Sequence, residues 1–378
     1  MSPPTEPQGS SFLRRISIRR NQIVSMDVTH DQDLEELEYF QKHVSDCLSE
    51  LLSPSPPPSS SAAVSQPSDP ILSIPWLKNL LDVYMSCETE FKGVLSTVRI
   101  SKSPSLEKAL QETLDRILKS LDICNAVVNG IDSVTQSRRL AEIAVTALKK
   151  RPLCDGSVRR AKRALTSLLN GLNVGKDRNS GGGGSNRRTT SRSWSFGQAS
   201  VHVSKSWSAT KQIQAMAANL VPPRGAEASG VYVMSSVMVL VMWVLVAAVP
   251  CQASNVLVAP LQLPKHQSWA SAALNIQERV GEEMNGKEKR FGGGGLMEEM
   301  QRMERVGLSL LEFTERFKFP GEEEEEEEVA EKVEEMDEIC RGMEVGLEGL
   351  QRQVRVVFHR LVRSRLEIVS VLDQAPCF

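Results

Sequence analysis

Aromatic side chains are scarce: only 5% of the 378 residues are Phe, Trp or Tyr. Strand-rich cores rely on such bulky, flat groups, so this poverty argues against an all-β architecture. A dominant charge is missing too, since 45 Lys and Arg stand against 47 Asp and Glu for a formal net charge of −2. Composition therefore supports neither a nucleic-acid binder nor wholesale disorder. The seven cysteines, at 47, 87, 124, 154, 251, 340 and 377, are odd in number and never form Cys-x-x-Cys. That scatter fits a reduced, cytosol-facing protein. No apolar h-region follows the polar, proline-rich start Met1-Ser-Pro-Pro-Thr-Glu-Pro, so no secretory signal is read there. The Ser- and Arg-rich stretch from Ser10 to Arg20 runs at once into Asp27, Asp31, Asp33, Glu35 and Glu36, which speaks against a transit peptide.

Chemistry is equally sparse. His30, His43, His202, His266 and His359 are dispersed, without a His-x-x-x-His pair, so no metal site is assigned. No phosphate-binding Gly-x-x-x-x-Gly-Lys, dinucleotide Gly-x-Gly-x-x-Gly or Gly-x-Ser-x-Gly elbow occurs, and the two four-glycine runs read as flexible linkers. His43 and Cys47 lie one helical turn apart, but the sequence offers no third group to orient them, and the pair reads as an accident of the surface. The chain is read as a non-enzyme with no cofactor.

What is present is helical periodicity. Leu34, Leu37, Val44, Leu48 and Leu51 share one face of a first helix, with Thr29 and Gln32 as its capping box. A Pro/Ser-rich segment from Ser53 to Pro70 interrupts the pattern. Ser73-Ile74-Pro75 has the form of a helix start, followed by the stripe Ile74, Leu77, Leu80, Leu81, Tyr84, Phe91 and Leu95. Leu106, Leu110, Leu114, Ile117, Leu121, Cys124 and Val128 make a third stripe, and Ile131, Val134, Leu140, Ile143, Ala147 and Leu148 a fourth, with Asn129-Gly130 as a kink or break between them. A shorter helix carries Val158, Ala161, Leu165, Leu168, Leu169 and Leu172. From Lys176 to Gly225 the chain becomes a basic Ser/Gly linker in which Trp194 and Trp207 lie among serines and cations. Those aromatics suit either a membrane or single-strand contact, or simply tuck against the bundle; no nucleic-acid partner is expected.

Val231 to Val249 is 19 residues without a charge, and it includes Leu240 and Trp243. Two readings stay open: a single bilayer span with the basic side cytosolic, or a core helix apolar all round because neighbours enclose it. Beyond Pro260 and Pro264 the chain turns helical and acidic, with a stripe of Leu296, Met300, Met303, Leu310, Leu311 and Phe317. Seven consecutive glutamates, Glu322 to Glu328, read as a solvated loop or helix entry. Val333, Met336, Cys340, Met343, Leu347, Leu350, Val354, Val357, Leu361, Ser364, Ile368 and Val371 then keep heptad spacing on a helix of about 40 residues. This helix-pairing seam serves a partner chain or, favoured by the short connection, the Leu296–Phe317 stripe in a hairpin. Gly342, Gly346 and Gly349 are placed off the seam.

The expected fold is all-α: an extended helical bundle with a long amphipathic C-terminal helix and disordered Pro/Ser- and Gly/Ser-rich loops. Its divisions are a basic disordered arm (1–28), an N-terminal bundle (29–175), the basic linker (176–225), the apolar helix (226–252) and a C-terminal helical region with an acidic loop (253–378). In the arm, Ser17 is flanked by Arg14, Arg15, Arg19 and Arg20, a candidate phosphosite within a basic membrane or kinase-recognition tether; a plain disordered tail is the alternative.

Several blocks together resemble the plant BYPASS-related family, nearest its ROH-type branch: Arg14-Arg15-Ile16-Ser17-Ile18-Arg19-Arg20-Asn21-Gln22, Glu35-Glu36-Leu37-Glu38-Tyr39-Phe40-Gln41, Cys124-Asn125-Ala126-Val127, Arg139-Leu140-Ala141-Glu142-Ile143-Ala144, Ser206-Trp207-Ser208-Ala209 and Tyr232-Val233-Met234-Ser235-Ser236. The resemblance implies a protein without enzymatic activity, linked to development. For the ROH-type branch it implies binding to the Exo-seventy subunits of the exocyst tethering complex in polarised secretion. The expected setting is the cytosol, with membrane association or a single span as the runner-up. The resemblance carries over no binding residues.

Overall fold

The computed structural model describes residues 34–53, 70–98, 103–173, 207–223, 226–251, 261–265, 267–290, 295–318 and 323–373. The basic arm, the Thr29/Gln32 capping box and most of both linkers lie outside these residues. Among the described residues the architecture is all-α, without a strand.

Helix α1 (residues 34–50) buries Phe40, Val44 and Leu48, which are spaced by four and stack along one line. Leu34, expected on that line, is exposed at the helix tip, and Phe40 takes its place against Phe91 with ring centroids 5.9 Å apart. Helix α2 (Ile74–Val98) starts where expected and buries its whole stripe. Ser73 Oγ accepts the Trp76 N–H at 3.3 Å, a side-chain cap for an amide that has no partner inside the helix. Leu72, at φ 65°, makes the left-handed turn that brings Ser73 into position.

Helix α3 (Pro104–Leu148) is one helix of 45 residues, not two. Asn129-Gly130 does not break it, because helix propensity at one glycine, about 1 kcal/mol, is small against the packing of both flanking turns. Gly130 serves a close approach instead: a Cβ there would lie 2.6 Å from Val249 Cγ1 and 3.0 Å from the Pro250 carbonyl oxygen. Ile143, expected inside, is exposed, whereas Thr113, Arg116 and Ser120 are buried. Arg116 earns its place at the end of α5 (Ala209–Ala218), where it donates to the carbonyls of Met216 and Asn219 and so answers the unpaired carbonyls and negative dipole end of that helix. Helix α4 (Asp155–Asn173) packs its six expected apolar residues against α3 and α8 (Glu298–Arg316).

Helix α6 (Ser229–Ala248) runs through the middle, in contact with α2, α3, α5 and α7 (Ser268–Arg290). Its apolar window is 89% buried. The two serines within it are matched: Ser235 pairs with Thr113 Oγ1 at 2.9 Å, and Ser236 Oγ donates to its own helix at the Tyr232 carbonyl, 2.8 Å away. Trp269 of α7 is fully buried and meets Tyr232 edge to face at 6.1 Å.

Helix α8 (Glu298–Arg316) ties two other helix ends together. The Leu296 and Met297 amides donate to the Ala247 and Ala248 carbonyls, each at 3.0 Å, which satisfies the last turn of α6. One residue on, the Glu298 amide reaches the Leu72 carbonyl at 3.3 Å, and Glu299 Oε1 accepts the Ile74 N–H of α2 at 2.9 Å. Burial pushes the Glu299 carboxyl up from its ordinary range, against the downward pull of that hydrogen bond. Only glycine fits at 295, since a Cβ would stand 2.2 Å from the Ala248 carbonyl oxygen.

Helix α9 (Glu323–Asp373) has 51 residues, longer than expected, and at about 1.5 Å per residue spans about 77 Å. It does pack on α8, but its most extensive contact is with α3, followed by α8 and α2. Gly346, placed off the seam by its sequence position, in fact faces α2, where a Cβ would meet Ile74 Cγ2 at 3.0 Å. Across the same contact Glu88, 3% exposed, accepts from Arg360 Nη1 at 2.7 Å and from Ser364 Oγ at 2.8 Å, with Lys92 at 3.4 Å.

Three substitutions measure these contacts by urea unfolding. Gly295→Ala forces a backbone clash and is expected to cost about 2 kcal/mol. Gly342→Ala, where nothing lies within 4 Å, is expected to add about 0.5–1 kcal/mol through helix propensity alone. Arg360→Ala removes the shortest ion pair of a buried carboxylate; because Lys92 and Ser364 remain, the expected loss is about 2 kcal/mol rather than the roughly 3–5 of a fully orphaned charge.

Candidate functional site

The inner seam of α9 is used within the chain. Val333, Met336, Met343, Leu347, Leu350, Val354, Val357 and Leu361 are each no more than 3% exposed, covered by α3, α2 and α8. In the apolar helix, Val231, Leu240, Trp243 and Val249 are likewise buried. Ser17 and Trp194 lie outside the described residues. Trp207, just before α5, is half-buried.

The opposite face of α9 is open. Val345, Val356, Val362 and Leu366 are 79%, 42%, 37% and 61% exposed, the largest set of exposed large apolar residues on any one described helix. Val345, Arg352, Val356, His359, Arg363 and Leu366 follow steps of three, four and seven, so they form one outward stripe on the far side from Leu347, Leu350 and Val354. Arg355 flanks it and is exposed. The sequence carried this signal, but the stronger inner seam masked it: apolar residues ten or eleven positions apart among arginines read as solvated surface until the other face is known to be covered. The acidic residues Glu334, Asp337 and Glu338 gather nearer the N-terminal end of the helix, where Glu334 and Asp337 hold Lys149 of α3 at 3.2 and 2.7 Å.

A second cluster joins α1 to α2. His43 and Cys47, one turn apart, face Ser86 and Cys87. His43 Nε2 lies 3.0 Å from Ser86 Oγ and 3.5 Å from Cys47 Sγ, and the three ligand atoms of His43, Cys47 and Cys87 all lie within 4.8 Å of one another. The orienting group that the local sequence lacked thus arrives from 40 positions away, which no local spacing rule registers. Cys47 is half-buried and Cys87 fully buried. The Cys87 thiol donates to Cys47 and lowers the Cys47 pKa to about 6, helped by His43 and Ser86 and opposed by burial. The Cys87 thiol is correspondingly pushed far up by the proton it shares with Cys47 and by burial. Burial is the main cause that pushes Cys124, Cys251 and Cys340 up to about 12, helped at Cys340 by the nearby Glu142. Exposed Cys154 is lowered mainly by the Ser157 backbone amide and hydroxyl, and has no second thiol beside it among the described residues.

No enclosed cavity with converging polar groups accompanies either feature among the described residues; the depression lined by Glu35, Glu38, Tyr39, Gln41, Lys42 and Ser268 is open to solvent. What the architecture offers is helical surface and one close pair of thiols.

Comparison with known proteins finds relatives of similar length. Residues 2–372 match the family model described as Protein ROH1-like. Protein ROH1A of Arabidopsis thaliana is 50% identical over 412 aligned positions that cover 99% of this chain and 98% of the relative. Protein ROH1D of the same plant is 32% identical over 400 positions, 97% of each. No solved structure matches. With the family model spanning nearly every residue and two relatives aligned end to end, the chain belongs to the ROH1-like family of plant proteins.

Proposed function

We propose that this chain is a non-enzymatic adaptor that works in the cytosol and binds Exo-seventy subunits of the exocyst during polarised secretion, using the outer face of α9. The observation that carries this reading is the stripe Val345, Val356 and Leu366 with Arg352, Arg355 and Arg363 around it, exposed on a helix whose other face is fully used. Apolar anchors ringed by arginine are the composition of recurring helix-mediated contacts, in which a few central side chains dominate the affinity. An enzyme would need paired acid and base or a nucleophile within a sequestered pocket, and the α9 face has neither.

On this reading α6 stays inside the bundle. Removing it to a bilayer would strip α2, α3, α5 and α7 of their common apolar partner and expose their stripes to water.

Two measurements test the proposal. Immobilised Exo-seventy subunits are expected to retain the chain, and the double variant Val356→Asp with Leu366→Asp to be retained at least about tenfold more weakly, equal to ~1.4 kcal/mol. Its thermal melt is expected to stay within a degree or two of the native chain, because both side chains are exposed. Failure of every Exo-seventy subunit to retain the native chain sinks the partner assignment. Under alkaline carbonate extraction the chain is expected in the supernatant; retention in the membrane pellet overturns the core reading of α6 in favour of a single span.

A further inference from the structure

We propose that Cys47 and Cys87 form a thiol–disulfide switch, in which Cys47 attacks a small-molecule disulfide such as oxidised glutathione and Cys87 resolves the product into a bridge between α1 and α2. This goes beyond the adaptor reading and does not depend on it.

The argument rests on position and asymmetry. The two sulfurs belong to different helices and lie within 4.8 Å of each other, so each is the other's nearest thiol. Cys47 is half-buried and reachable from solvent, whereas Cys87 is wholly enclosed. An outside oxidant therefore meets Cys47 first, and Cys87 meets only Cys47. The depressed Cys47 pKa supplies thiolate near neutral pH, and the His43 ring nitrogen at 3.5 Å and Ser86 beside it stabilise that charge. A metal reading of the same atoms is weaker. Zinc takes four ligands, and here the fourth donor is a serine hydroxyl, which is not among the usual Cys, His and carboxylate ligands.

The step balances. The Cys47 thiolate attacks one sulfur of oxidised glutathione; the Cys47–glutathione bond forms, the glutathione disulfide breaks, and one glutathione thiolate leaves. Cys87 then attacks the Cys47 sulfur, the Cys47–Cys87 bond forms, and the second glutathione leaves with the Cys87 proton. Two protein thiols are oxidised and one molecule of oxidised glutathione is reduced to two of glutathione.

The test uses the full reduced chain, exposed to increasing ratios of oxidised to reduced glutathione and mapped by non-reducing peptide mass spectrometry. The expected result is a Cys47–Cys87 linked peptide as the predominant linkage. Cys87→Ser is expected to lose that peptide and to stop at glutathione bound to Cys47, and Cys47→Ser to show neither product at these positions. Circular dichroism checks that both variants keep their helices; where one does not, the linked peptide in the native chain decides by itself. Absence of that peptide at every ratio overturns the proposal. So does stoichiometric zinc in the purified chain that is released when the thiols are alkylated, because the cysteines would then be ligands.

Discussion

The fold depends on covering one helix that has no polar side. An amphipathic helix can rest against a single neighbour with its other face in water, but α6 presents Val, Met, Leu and Trp in every direction and must be surrounded. That requirement explains why elements far apart in the chain, α2, α3, α5 and α7, converge on it. It also explains the hydrogen bonding around it. A buried helix cannot leave its terminal carbonyls to water, and the lead-in to α8 supplies amides to Ala247 and Ala248 while its next turn caps α2 through Glu299. Glycines 130 and 295 permit the backbone approach that this junction needs.

Around that centre, α9 acts as a second organiser with a different logic. Its inner face closes the bundle along α3, and the buried Glu88 fixes its register against α2 through Arg360 and Ser364. Its outer face is left with apolar residues that nothing within the described chain covers. Placing a covered and an uncovered face on opposite sides of one rigid helix lets the outer face vary in sequence without disturbing the core.

Much of this was legible in the sequence, and the failures have identifiable physical causes. The stripes of α2, α4 and α9 were read correctly because each buries a single face, so a period near 3.6 maps directly onto burial. Asn129-Gly130 offered a kink or a break, and the break does not occur, because the role of Gly130 is set by Val249 and Pro250, more than 100 positions away. Arg116 was unreadable for a similar reason: a charged residue enters the core only because the carbonyl end of α5 is brought to it. The alternatives for Val231 to Val249 could not be separated by composition, since a bilayer span and an enclosed core helix satisfy the same hydropathy rule. The thiol pair was half visible as His43 and Cys47, while Cys87 and Ser86 required the tertiary pairing of α1 with α2.

The length and charge order of α9 also give the molecule a direction. Glu331, Glu334, Glu335, Asp337 and Glu338 crowd the first part of the helix, and Arg352, Arg355, Arg360, Arg363 and Arg365 the last. A chain whose formal net charge is only −2 thus carries charge of opposite sign toward the two ends of its longest helix. Such a molecule is drawn only weakly toward a charged surface or partner, yet it is turned as it arrives, arginine end toward an acidic target, once it comes within the roughly 8 Å reach of unscreened charge at physiological salt. Orientation before contact, rather than attraction from a distance, is what this arrangement of charge provides.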